Sequence, residues 1–276
     1  MTSKTRVFAL LGDPVTHSLS PVIQNAGIRA LGLDGVYVAL RVGPEDLVGF
    51  VRGLARAGGG GNITLPHKER ATTLLDVPTE AVRRTGACNT FWGEEGKIHG
   101  DNTDVAGFSR ALSGFLGGVP EGLKVLLLGA GGSARACLVA LIDGAVEEVS
   151  LLNRTPDRAR AVARRIGGQR VRVLDDVKQI SGGGFDLVIN TTSMGLGQSD
   201  PLPVDLEIFG RVGGVVDLVY GPQGTPFVRR ARELGIRAAD GAEMLLQQGA
   251  ASFECWWGRP PDLEPMRQAL EKCLSH

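Results

Sequence analysis

The chain has 276 residues, 43% hydrophobic and 22% charged, a composition of ordinary globular type and long enough for one large domain or two. Lys+Arg and Asp+Glu each total 30, so the formal net charge is zero; this argues against nucleic acid or an anionic membrane as partner, while a small anionic ligand needs only a few local cations. No apolar stretch approaches the length of a bilayer span and the first residues lack a signal-peptide core, so the expected location is the cytoplasm.

Residues 7–11 form a short apolar run that stops at Gly12-Asp13-Pro14, a strand and then a turn. Helical spacing follows over 21–31, with Ser20 as the expected N-cap and Pro21 in the first turn. A strand is predicted over 35–42, a helix over 44–57, and a strand over 61–65 that breaks at Pro66, with Lys68 just beyond. Residues 86–92 and 97–100 read as a hairpin. The glycines at 58–61 and 182–184 read as surface connections in a chain with 40 glycines, about twice the usual share. A second alternating series opens with a strand over 124–128 and a helix to about 143. It continues with strands over 148–152, 187–190 and 215–219, helices over 158–166 and 226–234, and two closing helices over 242–257 and 263–275.

This order predicts an α/β fold of two domains. Residues 1–105, completed by 240–276, would form an N-terminal α/β substrate domain, and 106–239 a Rossmann-type domain, with the active site in the cleft between them. The four cysteines, Cys88, Cys137, Cys255 and Cys273, include no C-x-x-C pair. They read as free thiols, and no metal site is expected.

Three groups of residues carry chemistry. The first is Gly129-Ala130-Gly131-Gly132-Ser133-Ala134, a G-x-G-x-x-A turn between strand and helix that suits a dinucleotide pyrophosphate. The second ends the next strand: Asn153-Arg154-Thr155-Pro156-Asp157-Arg158. Where an acidic residue would hold a ribose diol, two arginines and a hydroxyl suit a 2′-phosphate, which favours NADP. Asp157 runs against that charge unless it caps the helix or pairs with another cation. The third comprises Ser18 and Ser20, Asn62-x-Thr64-x-Pro66-x-Lys68, Asn89-Thr90 and Asp101-Asn102-Thr103-Asp104. Hydroxyls, amides, one cation and one carboxylate near strand ends suit a small, polyhydroxylated, acidic ligand.

Together these motifs resemble the shikimate dehydrogenase family. The resemblance runs through Gly12-Asp13-Pro14-x-x-His17-Ser18-x-Ser20-Pro21, Asn62-x-Thr64-x-Pro66-His67-Lys68, Gly86-Ala87-Cys88-Asn89-Thr90 and Gly100-Asp101-Asn102-Thr103-Asp104. In the second half it includes the glycine turn, Asn153-Arg154-Thr155-x-x-Arg158, Asn190-Thr191-Thr192-Ser193-Met194-Gly195, Asp217-Leu218-Val219-Tyr220-x-Pro222-x-x-Thr225-Pro226 and the region of Gln248. It covers nearly the whole chain.

The resemblance implies NADPH-dependent, reversible reduction of 3-dehydroshikimate to shikimate, a step of aromatic amino acid biosynthesis. By the same resemblance Lys68 and Asp104 form the catalytic pair. Ser18 and Ser20 hold the substrate carboxylate, Thr64, Asn89 and Gln248 the ring hydroxyls, and Tyr220 lies near substrate and nicotinamide. Asn153, Arg154, Thr155 and Arg158 surround the phosphate end of NADP; Thr191, Met194, Gly195 and Gly241 belong to the cofactor side. His17 and His67 are expected in structural roles. Three rivals are a quinate- or NAD-using relative, a non-catalytic binder of pathway metabolites, and a folate-type dehydrogenase. The paired serines favour shikimate over quinate, and the presence of both Lys68 and Asp104 favours an enzyme over a binder. The folate type is disfavoured because neither Tyr37 nor Tyr220 has Lys four residues later. Monomer and homodimer are both compatible with the sequence.

Overall fold

The computed structural model describes residues 2–180, 183–197 and 200–275. The chain begins with β1 (Arg6–Gly12), α1 (Ser20–Ala30), β2 (Gly35–Arg41), α2 (Leu47–Arg56), β3 (Gly60–Ile63) and α3 (Lys68–Ala71). Next come β4 (Val77–Pro78), α4 (Glu80–Thr85), β5 (Thr90–Glu94), β6 (Lys97–Asp101), α5 (Thr103–Leu116), β7 (Lys124–Leu128) and α6 (Gly132–Asp143). β8 (Glu148–Leu152), α7 (Pro156–Val162), β9 (Val171–Leu174), β10 (Gly184–Phe185), β11 (Leu187–Asn190) and β12 (Arg211–Val212) follow. The last elements are β13 (Gly214–Asp217), α8 (Pro226–Glu233), β14 (Arg237–Ala239), α9 (Ala242–Trp257) and α10 (Leu263–Leu274). Two compact units result: the chain up to Gly107 with Leu245–Leu274, and Phe108–Met244. The boundaries fall inside α5 and α9.

The first unit holds a six-stranded sheet in the order β2-β1-β3-β5-β6-β4. β1 pairs in parallel with β2 and β3, and β4 with β6, while β5 is antiparallel to both neighbours. Side chains of β1 alternate between the two faces, as a pleated strand requires. Ala9 and Leu11 pack with Leu47, Val51 and Ala55 of α2. Phe8 and Leu10 pack with Ile28 of α1 and Phe253 and Trp256 of α9, Phe8 stacking on Trp256 at 4.8 Å between centroids.

The glycines of β3 are not a surface connection. Gly59, Gly60 and Gly61 are buried, and a Cβ on Gly61 would lie 2.0 Å from the Ala9 carbonyl oxygen. Close backbone approach, not turn formation, is what demands glycine there. Gly58, at φ +75°, alone makes the exposed turn. Of the 182–184 group, Gly182 lies outside the described residues, and Gly184 begins β10, which pairs with β12. Ser20 is also displaced from its expected place: Leu19 is the N-cap of α1, without a side-chain cap, and Ser20 is the first helical residue. The hairpin is formed by β5 and β6 around Glu95-Gly96, both at positive φ, the turn whose twist suits a two-residue connection.

The second unit is a parallel sheet in the order β14-β13-β11-β7-β8-β9. Its central strands β7, β8, β11 and β13 are short, mainly apolar runs, as expected of strands covered on both faces. The order reverses between β7 and β11, and open α/β sheets bind ligands beyond the carboxyl ends of strands at such a switch. No helix among the described residues is long and apolar enough to cross a membrane.

Candidate active site

In the first unit the two ends of a short ion pair come from helix starts. Lys68 opens α3 immediately after Pro66-His67, and Asp104 lies in the first turn of α5. His67 is buried and its Nε2 lies 2.7 Å from the Val42 carbonyl, a structural tie that anchors the α3 entry; His17 is exposed. Lys68 Nζ donates to Asp104 Oδ2 at 2.6 Å, with side-chain exposures of only 12% and 7%. One N–H of the ammonium is thus used, and the other two have no partner among the described residues.

Asn89 holds the far side of the carboxylate. Its Nδ2 donates to Asp104 Oδ1 at 2.8 Å and lies 3.5 Å from Gln248 Oε1. Its Oδ1 accepts from the Thr103 amide at 2.7 Å. Lys68, Asp104, Asn89 and Gln248 therefore form one group. Ser18 and Ser20 form another, with their hydroxyls 3.1 Å apart. Thr64 is half-buried after β3, its backbone N–H bonded to the Leu11 carbonyl. Tyr220 belongs to the second unit, half-buried beyond β13.

Behind the pair lies a buried polar cluster of which the sequence motifs disclosed only part. Thr90, Thr103 and Ser252 have hydroxyls 2.9–3.0 Å apart, and Asn62 Nδ2 donates to Thr90 and Ser252. Tyr37, 1% exposed, donates to Asn62 Oδ1 at 2.8 Å. Burial pushes the Tyr37 phenol above its ordinary range, opposed by a hydrogen bond from Ser20. Tyr37 and Ser252 lie outside every recognised motif. Ser252 could have been found by its spacing, since it follows Gln248 by one helical turn and faces the same way.

In the second unit the glycine turn has the local features that a dinucleotide requires. Gly129 follows β7 at φ +111°, and a Cβ there would lie 2.5 Å from Thr191 Oγ1. Thr191 in turn donates to the Leu128 carbonyl at 2.6 Å. Gly131 caps α6 without a side-chain hydrogen bond, and a Cβ on it would meet nothing within 4 Å. Gly132 and Ser133 complete the first turn of α6, Ala130 and Ala134 are buried, and the helix N-terminus is left open to an anion.

At the end of β8, Asn153 donates to the Thr155 carbonyl and shapes the turn, and Thr155 is the N-cap of α7. Arg154 and Arg158 are exposed, and Arg154 has no partner among the described residues. Asp157 does not oppose them: it pairs with Arg160 at 2.8 Å, which also pairs with Asp175. The free guanidinium and open helix end fit a phosphorylated dinucleotide.

A buried carboxylate organises the remaining cofactor-side residues. Asp217, fully buried, accepts from Asn190 Nδ2 at 2.8 Å, the Val219 amide at 3.1 Å and Thr225 Oγ1 at 2.6 Å. Asn190 also donates to the Met194 carbonyl, and Gly195, at φ +98°, sits against the Asp217 carboxylate. Gly241 packs on the backbone at Leu218, where a Cβ would lie 2.1 Å from its carbonyl.

Burial pushes Asp217 from 3.8 up to about 6, its hydrogen bonds opposing and Asp240 adding repulsion. The folded chain therefore holds this proton over a range in which the unfolded chain has lost it. The contribution is full below about pH 4 and fades as pH rises through about 6, a change on the order of 3 kcal/mol. Relative to wild type, Asp217→Asn should gain stability as pH rises across that window, as read by thermal midpoints. Parallel pH profiles would show that Asp217 does not titrate there.

With this geometry in place, the likeness to known proteins can be stated. Residues 10–91 match the shikimate dehydrogenase substrate binding domain, 117–195 the shikimate / quinate 5-dehydrogenase model and 241–271 the shikimate 5'-dehydrogenase C-terminal domain. The shikimate dehydrogenase (NADP(+)) of Rubrobacter xylanophilus is 44% identical over 97% of this chain and 96% of its own. The shikimate dehydrogenase of Aquifex aeolicus superposes with a TM-score of 0.90 at 33% identity, covering 98% of this chain and 99% of that one. A Thermus thermophilus shikimate 5-dehydrogenase solved with NADP(H) and shikimate has a TM-score of 0.87 at 40% identity, covering 97% and 99% of the two chains. The chain belongs to the shikimate dehydrogenase family.

Proposed function

We propose that this protein is an NADP-dependent shikimate dehydrogenase, reducing the ketone of 3-dehydroshikimate to shikimate and running in reverse when product and NADP⁺ accumulate. The observation that carries the reading is the Lys68–Asp104 pair: a nearly buried ammonium with one donor committed and two without a partner among the described residues. The four free cysteines suit the reducing cytoplasm, where we place the enzyme.

Bound NADPH supplies the hydride. Ser18 and Ser20 receive the substrate carboxylate, and Thr64, Asn89 and Gln248 bind ring hydroxyls, orienting the ketone toward Lys68. Lys68 Nζ donates a proton or hydrogen bond to the developing alkoxide and takes it back in the oxidative direction. Asp104 holds the ammonium and, in the oxidative direction, accepts from the reacting hydroxyl, and the two groups act as a coupled pair. By the family resemblance Tyr220 is assigned to substrate and nicotinamide. The α6 N-terminus, from Gly129 to Ala134, receives the pyrophosphate. Asn153, Arg154, Thr155 and Arg158 receive the 2′-phosphate, while Thr191, Met194, Gly195 and Gly241 border the nicotinamide.

The direct test is to mix purified protein with 3-dehydroshikimate and NADPH and identify the product by NMR. Stoichiometric shikimate is the expected product. Unchanged 3-dehydroshikimate would refute the assignment.

A further inference from the structure

We propose that Tyr37 and Ser252 are positioning residues. In this view the buried chain Tyr37–Asn62–(Thr90, Thr103, Ser252)–Asn89 fixes the orientation of Asp104. The proposal rests on the active-site reading above and adds to it two residues, Tyr37 and Ser252, that touch neither substrate nor cofactor.

The argument is one of donor polarity. An asparagine amide can face two ways, and its neighbours decide which. Tyr37 has a single hydroxyl proton and donates it to Asn62 Oδ1 at 2.8 Å. The Asn62 amino group must then face inward, where it donates to Ser252 Oγ at 2.8 Å, Thr90 Oγ1 at 2.9 Å and the Asn89 carbonyl at 3.1 Å. Hydroxyls that accept from Asn62 send their own protons onward: Ser252 to the Gln248 carbonyl at 3.0 Å, Thr90 to Asn89 Oδ1 at 3.0 Å. Thr103 adds its amide and hydroxyl to the same oxygen. With its carbonyl so occupied, Asn89 must present its amino group to Asp104 Oδ1, at 2.8 Å. A flipped Asn89 would set a carbonyl against the carboxylate. Oδ2 is left to Lys68 at 2.6 Å.

Every relay member from Tyr37 to Asn89 is at most 5% exposed, so water cannot replace a lost link. Buried networks of this kind are stable only when every member is satisfied. The relay also reaches α9, where Ser252 donates to the backbone carbonyl of Gln248.

Tyr37→Phe and Ser252→Ala each remove one oxygen from the relay, and the second keeps a good helix former on α9. Each should lower kcat for shikimate oxidation about tenfold or more by misaligning the pair. KM for shikimate and NADPH affinity should stay within about twofold, since no binding group is removed. The double variant should be no slower than the slower single one, because both cut one chain. In wild-type protein labelled with ¹⁵N-asparagine, the Asn89 side-chain amide protons should exchange slowly, and that protection should vanish in both variants. Unchanged kcat, multiplicative losses in the double variant, or retained Asn89 protection in the variants would each overturn the proposal. A wild-type protein inactive on shikimate would instead count against the proposed function, and the amide exchange would still decide the relay.

Discussion

Lys68→Ala should reduce kcat by roughly a hundredfold or more, the range expected when a positioned acid–base group is removed. The substrate carboxylate and ring hydroxyls are assigned to other side chains, so KM should change far less than kcat. The variant should also melt at lower temperature. Asp104, with a side chain only 7% exposed, would keep its Asn89 donor but lose its cation, and an uncompensated buried charge is costly. Steady-state rates, with circular dichroism to confirm folding, separate the two effects. Near-wild-type turnover in a folded Lys68→Ala protein would remove this residue from the mechanism.

Arg154→Ala should weaken NADP⁺ binding by roughly tenfold to a hundredfold and leave NAD⁺ binding unchanged, since a charge-assisted bond to phosphate contributes about 1.5–3 kcal/mol. The structure explains why this arginine and not a neighbour should dominate. Arg160 is already neutralised by Asp157 and Asp175, while Arg154 stands exposed at the end of β8 without a partner among the described residues. Arg160→Ala should therefore leave the cofactor ratio near wild type. Titration of both variants with each cofactor checks the pair of expectations. Equal weakening toward NADP⁺ and NAD⁺ in Arg154→Ala would mean that the residue supports the fold of the turn rather than the phosphate.

Much of the second unit was legible in the chain because its signals are local. A buried parallel strand is an apolar run, and β7, β8 and β11 begin and end where composition changes. The glycine turn lies between strand and helix, so its role needed no distant contact. All of α5 was missed in the sequence: Thr103 and Asp104 sit in a polar motif that reads as a strand end, yet they open a fourteen-residue helix. The glycines of β3 were misread for a related reason, since the backbone of β1 that excludes a side chain there lies some fifty positions away in sequence. Lys68, Asp104 and Asn89 were named from resemblance, but their alignment depends on Tyr37 and Ser252. Those two look like ordinary members of an apolar strand and an apolar helix. Only folding reveals that their hydroxyls meet the same asparagine.

The most direct test of the account is the initial rate of nicotinamide reduction by purified protein, with shikimate or quinate paired with NADP⁺ or NAD⁺ in all four combinations. Fast turnover confined to shikimate with NADP⁺ is the predicted result. A preference for quinate or for NAD⁺ would contradict the reading of Ser20 or of Arg154, and silence in all four would contradict the assignment of an enzyme.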